Sequence, residues 1–120
     1  MKQVQKNENK WDLEERTAKF GEDVINFIKT LPRDEITRPL ITQLIRATTS
    51  VGANYCEADD AESKKDFRHK IGICKKESRE SKHFLRMMAK ALPEKVEKSR
   101  ELWQEAKEFN LIFNSIYRKV

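Results

Sequence analysis

Two short runs, DFRH and ESKH, each place a carboxylate three residues ahead of a histidine: Asp66 with His69, and Glu80 with His83. On a helix that spacing puts both side chains on one face, and ferritin-like di-iron bundles use Glu-x-x-His in this way. Such a centre takes its two units from facing helices, whereas these two share one predicted helix with about 21 Å of rise between them. Both also point away from that helix's apolar stripe. A third run, EADDAE, holds Glu57, Asp59, Asp60 and Glu62, but it lacks the alternating ligands, central glycine and distal glutamate of a calcium loop. These acids read as a solvated hinge ahead of a helix start, where negative charge is favoured. Cys56 and Cys74 form no C-x-x-C pair and are too few for a disulfide framework, so both are expected as reduced thiols packed on helices. No P-loop, G-x-S-x-G, H-E-x-x-H or glycine-rich dinucleotide turn occurs. No catalytic residue, metal or cofactor is expected.

The residues best suited to binding are basic. Lys64, Lys65, Arg68, Lys75, Lys76, Arg79, Lys82, Arg86 and Lys90 fall within about a third of the helical circle at 100° per residue. Ten Lys and Arg against three Asp and Glu between Ser63 and Leu92 give +7, more than the +5 of the whole chain. The ribbon would run about 40 Å, long enough to follow several phosphates. With no stacking aromatic inside it, it is suited to holding nucleic-acid backbone rather than reading bases. The competing reading is a solvated face eased by i,i+4 pairs such as Lys76 with Glu80.

The elements that carry these residues are all helical. Three Gly and three Pro in 120 residues leave little material for turns, and Lys, Glu, Leu, Ile and Ala recur at helical spacing. Residues 1–10 read as a flexible polar tail and residues 11–120 as one four-helix domain. Leu13, Phe20, Val24, Phe27, Ile28 and Leu31 form the stripe of a first helix that Pro32 ends. A second helix is expected from Thr37, a candidate N-cap, with Pro39 in its first turn. Its face of Leu40, Leu44, Ala47, Val51, Tyr55 and Ala58 is widened by Ile41, Ile45, Thr48 and Gly52. Ser63 and Asp66 give an S-x-x-D start to a third helix reaching Ala91, with Phe67, Ile71, Cys74, Ser78, Ser81, Leu85 and Met88 as its seam. After ALPEK a fourth helix presents Val96, Trp103, Ala106, Phe109, Asn110, Phe113 and Tyr117, with Leu102, Leu111, Ile112 and Ile116 at or beyond the margin. Gly52 costs about 1 kcal/mol against Ala in a helix interior, so the close approach of a neighbouring helix is its expected purpose.

No apolar run nears the roughly 20 residues of a membrane span, and MKQVQKNENK lacks the apolar core of a signal peptide, so a cytoplasmic protein with no membrane partner is expected.

QLIRATTSVGANYCEA resembles the Q-L-x-R-A-x-x-S-x-x-x-N-x-x-E signature of the bacterial four-helix-bundle family encoded in intervening sequences of large-subunit ribosomal RNA genes, through Gln43, Leu44, Arg46, Ala47, Ser50, Asn54 and Glu57. DFRHKIGICKKESRESKHFLR is similar to a second segment of one branch, through residues that include Glu77 and Glu80. The resemblance implies an antiparallel up-and-down bundle that assembles as a homopentameric ring. It also implies kinship with the accessory variability protein of diversity-generating retroelements, a basic pentamer that binds nucleic acid and a reverse transcriptase. Ala58 departs from the commoner form, where a Gly follows the Glu, and the ADDAES linker is more acidic than usual. These features together predict a non-catalytic homo-oligomer that binds RNA or DNA backbone through its third helix, with Ile41, Ile45 and Gly52 as candidate subunit-interface residues. The alternative is an oligomeric scaffold for a protein partner, its charge serving solubility and subunit registry.

Overall fold

The computed structural model describes residues 8–120, folded as four helices with no strand among the described residues. Helix α1 spans Glu8–Lys29, α2 Thr37–Asp59, α3 Lys64–Ala91 and α4 Val96–Lys119, with a 3-10 turn Pro93–Lys95 before α4. The polar tail expected over 1–10 lies outside the described residues as far as Asn7. Glu8–Lys10 belong to α1, since no Gly or Pro precedes Trp11 to stop the helix there.

Each turn has a local cause. The chain leaves α1 through two short i→i−3 bonds, Thr30 N to Phe27 O and Leu31 N to Ile28 O. Arg33 donates to the carbonyls of Ile28 and Leu31 at 3.0 and 2.6 Å, placing a cation on the negative end of the helix. The cap of α2 is Asp34 rather than Thr37. The Asp34 carboxylate accepts from the backbone N–H of Ile36 and Thr37, both at 2.8 Å. The Thr37 hydroxyl in return accepts from Asp34 N at 2.9 Å and donates to Pro32 O at 2.6 Å. This is a reciprocal capping arrangement across the turn that leads into α2. These bonds hold the Asp34 carboxyl below the usual carboxylate range, the one from Thr37 N most strongly. The start of α3 follows expectation, Ser63 Oγ accepting from Asp66 N at 3.0 Å.

Consecutive helices run antiparallel, with α2 and α4 flanking α3 closely and α1 lying mainly on α2. The bundle measures 45 × 30 × 18 Å. The α1–α4 side is the wide one, and large groups bridge it. Phe20 meets Phe109 edge to face at 5.4 Å, and Arg16 binds Glu105 through two bonds of 2.8 Å and Glu108 at 2.6 Å. Phe20, Phe109 and Phe113 are sealed in the core with Leu44, Val51, Ile71, Leu85 and Met88.

Two details of the packing depart from the helical wheels. Leu102, placed at the margin of α4, is buried in the core, whereas Trp103 and Tyr117 are half-buried at its edge. Gly52 faces α1 of its own chain: a Cβ there would lie 3.3 Å from Thr17 Oγ1 and 3.5 Å from the Thr17 backbone carbon. The close approach this glycine permits therefore lies within the subunit. Ile41 and Ile45 are half-buried against the same core, because α2, held between α1 and α3, needs an apolar flank for each.

Candidate nucleic-acid interface

Seven of the nine ribbon cations, Lys64, Lys65, Arg68, Lys76, Arg79, Arg86 and Lys90, are exposed along α3, and Lys75 and Lys82 are half-buried toward α4. None of the nine makes an ion pair among the described residues. The cations that do are Arg16, Lys19, Arg46, Lys70 and Lys98. The Lys76–Glu80 pair of the competing reading does not form, because Glu80 turns to the opposite flank and binds Arg46 of α2.

That opposite flank is where the family motif residues meet. Arg46 Nη1 lies 3.3 Å from Glu77 Oε1, Nη2 lies 2.5 Å from Glu80 Oε1, and Nε donates to Gln43 Oε1 at 3.3 Å. Glu80, and then Glu77, hold the guanidinium more firmly protonated than usual. One turn away, Asn54 donates to the carbonyl and hydroxyl of Ser50, both at 2.9 Å, and Lys70 donates to Glu57 at 2.7 Å. Glu57 and Lys70, with the Arg46 cluster, tie α2 to α3. Two of the three α3 acids, Glu77 and Glu80, are thus paired on the α2 side, away from the ribbon.

Toward α4 the ribbon, which has no stacking aromatic of its own, meets aromatics of the neighbouring helix. Arg68 stacks on Tyr117 at 3.8 Å from its centroid and donates to its hydroxyl at 3.0 Å. Lys75 lies 4.5 Å from the same ring. Gly72 makes the seat for that ring, since a Cβ there would stand 3.1 Å from Tyr117 Cε1. Two turns further along, Lys82 and Lys107 lie 5.7 and 5.6 Å from the ring of Trp103. Arg100 lines a groove with Arg86 and Ala89 of α3 and Lys107 lies by Trp103, while Glu105 and Glu108 face Arg16 of α1, so α4 continues the basic face. The spacing Arg100-x-x-Trp103-x-x-x-Lys107 was the available sequence signal for it, one cationic and aromatic stripe at three- and four-residue steps.

The groups that suggested other chemistry are dispersed. His69 and His83 are exposed, the latter against Phe84 at 5.2 Å, and among the described residues no three His, Cys, Asp or Glu side chains converge. The Cys74 thiol donates to Val51 O at 3.6 Å, and burial pushes its pKa up to about 12. Cys56, expected to be packed, is exposed on α2. Among the described residues no helix is long and apolar enough to cross a membrane.

The model of a family described as 23S rRNA-intervening sequence protein matches residues 9–115. No curated protein matches the chain. Among solved structures, the chain is similar to a protein of unknown function from the S23 ribosomal protein family of Bacteroides thetaiotaomicron. The two are 26% identical with a TM-score of 0.79, over 88% of this chain and 95% of that one.

Proposed function

The chain belongs to the 23S rRNA-intervening sequence protein family, and from that premise we propose that it is a non-catalytic, cytoplasmic homo-oligomer whose α3–α4 face binds the backbone of RNA or DNA. The observation that carries the reading is that, among the described residues, none of the nine ribbon cations makes an ion pair, in a bundle whose other flank pairs its charges closely. Like charges three or four residues apart on a helix each cost about 0.2–0.5 kcal/mol. Lys75 with Arg79, Arg79 with Lys82, Lys82 with Arg86 and Arg86 with Lys90 are all such neighbours. A polyanion laid along α3 relieves that repulsion and releases its own counterions, which is the main source of backbone affinity. A face that served solubility alone gains nothing from gathering one sign on one side.

A closed ring, five-membered as the family resemblance suggests, is the proposed assembly. It draws support from the large apolar side chains that the subunit leaves in water, Leu111 at 59% and Ile36 at 63% exposure. In a cyclic assembly each subunit offers two different surfaces to its neighbours, and Ile41 and Ile45 lie on the same helix as the turn that holds Ile36.

The test is an electrophoretic shift with structured RNA and duplex DNA. The variant combines Lys76→Glu, Arg79→Glu, Arg86→Glu and Lys90→Glu, which leaves Lys75 on Tyr117 and Lys82 on Trp103 untouched. Binding is expected to disappear with helicity and assembly mass unchanged. Undiminished affinity would overturn the assignment of the face, and a wild-type protein with no saturable binding even at low salt would favour a protein-scaffold role.

A further inference from the structure

Between α3 and the first turns of α4 lies a groove of about 470 Å³ whose lining includes Arg86, Ala89, Ser99, Arg100, Trp103 and Gln104. The small residues Ala89 and Ser99 open it. Ser99 is fully buried, and its hydroxyl is the one buried side-chain polar atom among the described residues without a hydrogen-bond partner. Nearly all such groups in folded proteins are satisfied by protein, water or ligand. Beside it stand two exposed guanidiniums, Arg86 and Arg100, neither of which makes a hydrogen bond or an ion pair among the described residues. At the edge of the groove Trp103 is half-buried, with Lys82 and Lys107 near the 6 Å limit of cation–π attraction. Ammonium groups held so loosely are readily displaced from the ring.

We infer that this groove is a subsite for one unpaired nucleotide of a single-stranded segment. A phosphate lies between Arg86 and Arg100 and, as it parts the side chains that cover the buried hydroxyl, accepts from Ser99 Oγ; its base stacks on Trp103, and Gln104 is in reach of a base edge. Arginine supplies planar, two-pronged donors to phosphate oxygens. An indole offers a face to any of the bases, so the preference created is for unpaired over duplex nucleic acid rather than for a sequence. The inference rests on the backbone-binding role of the α3–α4 face and adds the strand form that this face prefers.

The experiment uses the full chain carrying Trp11→Phe, so that Trp103 is the only tryptophan, with a 12-nucleotide single strand and a duplex of the same length. The single strand is expected to quench Trp103 fluorescence saturably, and the duplex to bind without quenching. Trp103→Leu should weaken single-strand binding by about tenfold, toward the low end of base stacking on an aromatic, and leave duplex binding unchanged. Trp103→Phe should retain most of the preference, which guards against a folding defect in the leucine variant. Ser99→Ala should lower single-strand affinity while holding or raising the thermal midpoint, because it removes an unpartnered hydroxyl; a merely structural serine would leave affinity alone. Equal loss for both strand forms in Trp103→Leu, or saturable single-strand binding without quenching, overturns this inference and leaves the basic face standing. Absence of all binding at low salt overturns both.

Discussion

Replacing Arg46 with Met tests whether the motif cluster ties α2 to α3 or serves the binding face. Glu77 keeps only 8% of its side-chain surface in water, so removing the guanidinium strands a desolvated carboxylate. Hydrogen bonds to charged groups are worth about 1.5–3 kcal/mol. Glu80, 38% exposed, is rehydrated when its partner leaves, which limits its share to about 0–1 kcal/mol. Arg46 itself is half exposed, which holds the combined loss toward the lower end, at about 2 kcal/mol. For a domain of this size that is a fall in thermal midpoint of roughly 8 °C. The assay is urea unfolding followed by helical circular dichroism at one fixed protein concentration, since the proposed assembly would make stability depend on concentration, and the slope against urea should not change. Combining Arg46→Met with Glu77→Met should recover at least half of the loss, because an ion pair replaced whole by apolar groups costs far less than one broken. Nucleic-acid affinity should not move in either variant. A single variant within about 0.5 kcal/mol of wild type, or a double variant no better than the single, would refute the reasoning.

Three further outcomes are expected. The Asp34 carboxyl is depressed in the fold by its cap bonds, so its contribution is complete above the unfolded value of about 3.9 and fades as pH falls through the folded one. The thermal-midpoint advantage of wild type over Asp34→Asn at pH 7 should therefore shrink below pH 4, and an advantage that persists at pH 2 would contradict the cap assignment. In native protein at pH 8 a thiol reagent should modify Cys56 and spare Cys74, with both reacting in denaturant; two fast native thiols would mean that α3 is not packed as described. Gly52→Leu should lower stability by about 1–3 kcal/mol through overpacking against the Thr17 backbone, seen in the unfolding midpoint of the subunit even at concentrations where the assembly mass is unchanged. An unaltered midpoint would mean that Gly52 does not face α1.

The helices were legible because their ends are marked chemically. Pro32, Ser63 and Pro93 stop or start elements where the pattern required, and the α3 seam from Ile71 to Met88 is buried as its spacing predicted. What stayed hidden depends on which helix lies beside which, and in what register. A wheel gives Leu102 and Trp103 nearly equal claims to the core, and only the position of α3 sends one inward and leaves the other at the edge. Gly52 announced a close approach without naming Thr17 as its partner. Thr37 is a good cap by residue type, and only the bond its hydroxyl accepts from Asp34 N shows that Asp34 caps the helix with it. The basic ribbon was visible as a cluster on α3. Its extension by Arg100, Trp103, Lys107 and Tyr117 required the antiparallel register that sets Tyr117 against Gly72 and Trp103 beside Lys82.

The most direct measurement of the central claim is the salt dependence of binding by the wild-type protein, with affinity followed by anisotropy of a labelled RNA or DNA across about 50–300 mM monovalent salt. If roughly five phosphates are engaged along the 28 residues of α3, log K should fall linearly with log salt at a slope near −3.5 for single strands and −4.5 for duplex. A slope near zero, or no saturable binding at the lowest salt, would contradict the account.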